Sequence, residues 1–80
     1  MEKRIGTLSI FLYKKDSVEK VNNILSDYSD IIISRMGIPY REKNIAVIVV
    51  ILDGTTDEIG ALSGKIGNLN GISVKSAISK

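Results

Sequence analysis

The sequence predicts an α+β fold of the ferredoxin-like βαββαβ type, a four-stranded antiparallel sheet with two helices on one face. Three observations predict it. Four segments rich in β-branched residues read as strands, two amphipathic stretches carry helix-start signals, and turn residues separate them in the order β-α-β-β-α-β. Two split βαβ units with right-handed crossovers then place the first and third strands at the centre of one sheet.

The first strand covers residues 4–13. Gly6, Leu8, Ile10 and Leu12 fall on one face by the period of two, and Ile5, Thr7, Ser9, Phe11 and Tyr13 on the other. Lys14 and Lys15 form a turn. Asp16 stands as the N-cap of the first helix, with Glu19 three residues later in a loose capping-box pattern. Val18, Val21, Leu25 and Tyr28, with Ile24 beside them, make one apolar stripe. Ser29-Asp30 ends this helix.

Residues 31–38 read as the second strand, β-branched at 31, 32 and 33. Gly37 suits a bulge and Pro39 an edge or a strand end, so this is an edge strand stopping near Tyr40. Residues 41–44 make a polar hairpin connection. Residues 45–52 are apolar on both faces, which predicts the most buried strand. Asp53-Gly54 is a turn, and Thr55 with Glu58 forms a capping box for the second helix. Ile59, Leu62 and Ile66 mark its core side, and Gly67 is placed to terminate it. Asn70-Gly71 is a further turn before a last alternating strand, with Ile72, Val74, Ser76 and Ile78 on one face.

Eighty residues read as one domain. A chain of this size buries only about 60–65% of the surface its unfolded form exposes. Small domains compensate with disulfides, a metal or oligomerisation. There is no Cys and no His, so disulfides and the usual zinc, copper and nickel ligand sets are excluded. Oligomerisation is the remaining route. The net charge of +2, from 11 Lys and Arg against 9 Asp and Glu, argues against a dedicated nucleic-acid surface. No signal peptide or membrane-spanning run is legible, and the longest apolar stretch is eight residues. The expected location is therefore the cytoplasm, with no membrane partner.

Two helices cover only one face of such a sheet. Ile5, Phe11, Tyr13, Ile45, Val47, Val49 and Ile51 should therefore form an uncovered apolar patch, and such patches mark interfaces. A homo-oligomer, dimer or tetramer, is expected through this face or edge to edge.

Candidate chemistry is sparse. The segment Gly60-Ala-Leu-Ser-Gly64-Lys65 resembles a phosphate loop but has three residues between the glycines instead of four, and Ile66 follows the Lys. It also lies within a helix. Gly60, Gly64 and Gly67 instead form a stripe beside the core face. Each costs about 1 kcal/mol of helix stability against Ala, which points to a close neighbouring backbone or a small ligand. Arg35, Arg41 and Lys65 could hold an anion, as could Lys14 and Lys15 near a helix start. No Ser-His, Cys-His or paired-carboxylate set can be assembled, so an enzyme is not expected, and no cofactor or metal is implied.

Three stretches carry a family resemblance: Arg35-Met-Gly-Ile-Pro39, Arg41-Glu-Lys-Asn44 and, most specifically, Ile59-Gly-Ala-Leu-Ser-Gly-Lys-Ile-Gly67. They resemble the iron-only hydrogenase system regulators, over nearly the whole chain. That resemblance implies an ACT-like fold, similar to the C-terminal domain of the nickel-responsive repressor, and assembly through the sheet. It also implies association with hydrogenase maturation. The repressor's metal chemistry is not implied, because His and Cys are missing. Its DNA-reading helices are not legible before Ile5. The amino-acid-sensing turn of ACT domains contains Gly, and residues 13–16 here do not.

The resulting expectation is a regulatory ACT-like module that assembles with itself and binds a small-molecule effector or protein partner. A ligand would sit at a subunit boundary near Lys14 and Lys15, near Arg35, Gly37 and Arg41, or along Gly60, Gly64 and Lys65. Two alternatives stand beside it, a purely structural assembly subunit and a DNA-associated transcriptional regulator. The latter predicts a steep salt dependence.

Overall fold

A computed structural model describes residues 2–80 of the chain. The elements are β1 (Arg4–Leu12), α1 (Ser17–Asp27), β2 (Ile32–Tyr40), β3 (Ile45–Gly54), α2 (Thr56–Gly67) and β4 (Ile72–Ile78). Short 3-10 turns at Ser29–Ile31 and Arg41–Lys43 lead into and out of β2. The four strands form one antiparallel sheet in the order β2-β3-β1-β4. This is the βαββαβ fold, with β1 and β3 central and β2 on an edge, as the sequence predicts.

The core is one-sided. Leu8, Ile10 and Leu12 of β1 and Ile48, Val50 and Leu52 of β3 are buried on the same sheet face. Val21 and Leu25 of α1 and Ile59, Leu62 and Ile66 of α2 close over them in one cluster. Burying each such side chain stabilises the fold by about 1.5–3 kcal/mol. Both helices therefore lie on that face.

Helix α2 starts on a complete capping box. The Thr55 hydroxyl accepts from the Glu58 N–H at 3.1 Å, and the Thr55 N–H donates to the Glu58 carboxylate at 2.8 Å. Helix α1 starts differently. Asp16 occupies the N-cap position but has helical dihedrals, and its side chain makes no capping bond. A capping side chain needs extended backbone at that residue. Here residues 14–16 already curl, with the Ser17 N–H donating to the Lys14 carbonyl and Val18 to Lys15.

Four further expectations change. The irregularity in β2 lies between Ile32 and Ser34, whereas Gly37 stays in regular register opposite Ile48. The second strand begins one residue later than predicted because Ile31 belongs to a 3-10 turn and plugs the core. Strand β3 is not the most buried one. Val49 and Ile51 remain 38% and 39% exposed, because none of the described residues covers their face. Gly67 is the last residue of α2 and is followed by a helical Asn68, so it supplies no left-handed cap. Its small size matters instead, since a Cβ there would lie 3.3 Å from Val74.

The close approach at Gly6 has a different cause. A Cβ there would meet the Ile59 side chain at 2.9 Å and the Ala77 carbonyl at 3.3 Å. Gly6→Ala should destabilise the fold by about 1–3 kcal/mol through overpacking, read as a lower denaturation midpoint at unchanged slope.

The capping box also fixes a titration. The Thr55 N–H, and then the Thr55 hydroxyl, hold the Glu58 carboxyl below its ordinary value of 4.5, with Lys3 assisting. A lowered folded value means that the stabilisation is complete above the ordinary value and is lost as pH falls through the lowered one. Thr55→Ala should cost about 1 kcal/mol and, because it removes the hydroxyl but keeps the backbone N–H that is the larger cause, raise the Glu58 titration only part of the way in a carbon-detected NMR pH series.

Candidate functional site

Every odd-numbered residue of β1 and β3 points away from the helices. The register extends this open face across the sheet. Phe11 lies opposite Val47, Met36 opposite Val49, Ile38 opposite Val47, and Tyr40 opposite Ile45. On the other side of β1, Ala77, Lys75 and Ser73 face Thr7, Ser9 and Phe11. The open face is therefore divided. Its β2–β3 half is apolar and its β1–β4 half is mostly polar.

The expected interface residues fall on this face or at its end. Val49 and Ile51 lie at its centre, Phe11, Val47 and Ile45 are half-buried, and Ile5 and Tyr13 are exposed at opposite ends of β1. Sequence reasoning missed Met36, Ile38 and Tyr40, which are 69%, 52% and 42% exposed and enlarge the patch to the sheet edge. Their period-two spacing was the available signal.

The second feature lies at the end of the sheet where residues 13–16 and the β2–β3 connection approach each other. A cleft of about 560 Å³ opens there. Its walls are Leu12, Val18, Pro39, Ile45 and Ala46, and its rim carries Tyr13, Tyr40, Asn44, Lys14, Lys15 and Arg41. Asn44 takes the left-handed conformation that lets the connection turn back into β3. A shallower cleft of about 270 Å³ continues along β2 past Val18, Pro39 and Ala46 toward Arg35 and Gly37. The cause is local. Gly37, Pro39 and Ala46 place little bulk beneath α1, so the helix and the edge strand stand apart. Arg35 spans the gap, donating to the Asn22 side chain at 2.6 Å.

The turn that carries Lys14 and Lys15 is tied to the turn before β4. The Tyr13 N–H donates to the Gly71 carbonyl at 2.8 Å, and the buried Ser17 hydroxyl donates to the Asn70 carbonyl at 2.7 Å. Gly71 has φ +72° and lies beneath the Lys14 stem, whose Cγ would be 2.7 Å from a Cβ there. Only a glycine both adopts this dihedral without strain and leaves room for the stem.

The remaining predicted ligand residues are not gathered here. Lys65 sits over the Tyr28 ring, 5.1 Å from its centroid. Gly60 and Gly64 are exposed, and a Cβ at either would have no neighbour within 4 Å. Gly60 and Gly64 therefore face open space and no internal close approach explains them, whereas Gly67 of the same stripe packs against Val74. Among the described residues no group of three or more acidic, His or Cys side chains could hold a metal, and no helix is long and apolar enough to cross a membrane.

A one-sided βαββαβ sheet with an open apolar face and a cationic end cleft defines the class of protein. Residues 4–76 match the family described as "Iron-only hydrogenase system regulator, putative", of the TM1266-like type. The chain belongs to this family. It is similar, at 40% identity and a TM-score of 0.93, to the uncharacterized protein TM1266 from Thermotoga maritima, over 99% of this chain and 100% of that one. The C-terminal domain of the MgtC protein from Mycobacterium tuberculosis shares the fold at 10% identity and a TM-score of 0.75, over 95% of this chain and 87% of that one. A homoserine dehydrogenase from Thiobacillus denitrificans contains it at 16% identity and a TM-score of 0.67, over 98% of this chain and 18% of that one. No curated protein matches the sequence.

Because the space around Gly60 and Gly64 is open, Gly60→Ala and Gly64→Ala should each stabilise the fold by about 0.5–1 kcal/mol through helix propensity alone. Gly71→Ala should do the reverse, by about 1 kcal/mol or more. Denaturant titration of the three variants checks both signs.

Proposed function

We propose that this chain is a non-enzymatic regulatory module of an iron-only hydrogenase system, which acts by assembling with a second copy of itself and by taking a small effector in the end cleft. The open face carries this reading. Met36, Ile38, Val49 and Ile51 form a contiguous exposed apolar surface, larger than the scattered apolar side chains normal on a monomer. A second copy suits it because a two-fold axis brings the same apolar half onto itself. The thin one-sided core supports the same partner, since a small fold gains stability from burying that half.

The cleft supports the regulatory part. Tyr13, Tyr40 and Ile45 belong both to the cleft and to the end of the open face. An effector that touches them interacts differently with the assembled and the free chain, and such a difference shifts the equilibrium between the two. The family's description as a regulator supports the setting in a hydrogenase system.

Sedimentation equilibrium tests the assembly. The wild-type chain should be oligomeric at tens of micromolar. Val49→Asp should give a folded monomer, because a charge on the open face costs nothing in water and several kcal/mol when buried without a partner. A wild-type monomer at that concentration would overturn the reading.

A further inference from the structure

We propose that the end cleft binds a small amphipathic anion, a carboxylate or phosphate carried on an apolar body. This rests on the effector-binding part of the proposed function and not on self-assembly.

Charge is the first argument. Lys14, Lys15 and Arg41 all line the cleft, and no Asp or Glu does. Among the described residues the ion pair within 4.0 Å is Arg4 with Glu2, so none of the three cations has a carboxylate partner. Asp16 and Glu42 lie next in sequence to two of them and still do not line the cleft. The Glu42 carboxylate accepts from the Tyr40 hydroxyl at 3.2 Å instead. Three unpartnered cations around one concavity repel one another, and an anion placed among them relieves that repulsion and gains charge-assisted hydrogen bonds.

Shape is the second. The volume of about 560 Å³ falls in the range of small-molecule sites. Leu12, Val18, Pro39 and Ala46 form an apolar part of the wall and offer no hydrogen-bonding side chain. A bare inorganic anion would leave that wall in water, and an uncharged apolar molecule would leave the cations unused. The chemistry that satisfies both is an apolar body ending in an anionic group.

Positioning is the third. The turn bearing Lys14 and Lys15 is fixed to residues 70–71 by the Tyr13 and Ser17 hydrogen bonds. The Lys14 stem lies on Gly71. A lysine whose stem is held loses less side-chain freedom on binding than a free one.

The test is amide NMR titration of the full chain with four probes: 3-phenylpropionate, phenyl phosphate, uncharged 3-phenylpropanamide and inorganic phosphate. Both aromatic anions should shift amides of residues 12–18 and 40–46. The amide and inorganic phosphate should bind at least about tenfold more weakly. Tighter binding of the carboxylate or of the phosphate identifies the anionic group. Replacing Lys14→Gln and Arg41→Gln together, both on exposed positions, should weaken the anions about tenfold while leaving the dispersed spectrum of the folded chain. Val49→Asp should still show the anion-induced shifts at residues 12–18 and 40–46, with an affinity altered only by the coupling to assembly. Its oligomeric state is read separately by sedimentation, so failure of the site and failure of assembly are distinguishable. Equal binding of 3-phenylpropionate and 3-phenylpropanamide would overturn the proposal. So would shifts confined to the open face, anion binding lost in Val49→Asp, or no shift with any probe up to about 10 mM.

Discussion

Two helices cannot cover both faces of a four-stranded sheet, and the rest of this structure depends on that limit. All the fully buried large side chains of β1 and β3 lie on the helix side. Their odd-numbered neighbours are left to water or to a partner. The chain has put polar residues on only half of that open face. Thr7, Ser9, Ser73 and Lys75 make the β1–β4 half compatible with solvent. The β2–β3 half repeats Met, Ile, Val and Tyr. This division supports the proposed self-assembly, because alternation commonly places polar side chains on the exposed side of an antiparallel sheet.

The same asymmetry shapes the end cleft. Strand β2 pairs only with β3 and presents Arg35, Gly37 and Pro39 toward the helix side, opposite Val50, Ile48 and Ala46. None of these packs beneath α1 as Leu12 or Val50 does. The edge of the core is therefore thin where α1 begins, and the concavity follows from that deficit of side-chain volume. The cations at its rim come from two connections, residues 13–16 and the β2–β3 turn. Connections are where a fold can vary charge without disturbing its packing. Cleft and apolar half-face meet at Tyr13, Tyr40 and Ile45, so two surfaces generated by one constraint share residues.

Much of this was legible in the residues themselves. Alternation in residues 4–13 assigned Leu8, Ile10 and Leu12 to the core. The Thr55–Glu58 pair marked the start of α2, and Gly and Pro placed β2 at an edge. These signals are local and each has one physical cause. What was not legible depended on tertiary context. The first-turn backbone decided that Asp16 would not cap. Insertion of Ile31 into the core moved the irregularity of β2 to residues 32–34. Packing of Ile59, Leu62 and Ile66 onto the sheet left Gly60 and Gly64 facing open space, although the helix-stability cost of glycine suggested a neighbour. For the site, the sequence contained Lys14, Lys15 and Arg41 as charges but not their convergence. That convergence needs the antiparallel register that brings Leu12 beside Ala46. Lys65 shows the converse, a cation near in motif and distant in use, stacked on Tyr28.

The most direct test of the central claim is an isotope-filtered methyl NOE measurement on a mixed sample, half of it methyl-labelled and half unlabelled. The account predicts intermolecular contacts at the methyls of Met36, Ile38, Val49 and Ile51. It predicts none at the buried Val50 and Leu52 and none at Ala77 on the polar half. Intermolecular contacts that map to the exposed side of α2 around Ala61, with silence across β2 and β3, would contradict it.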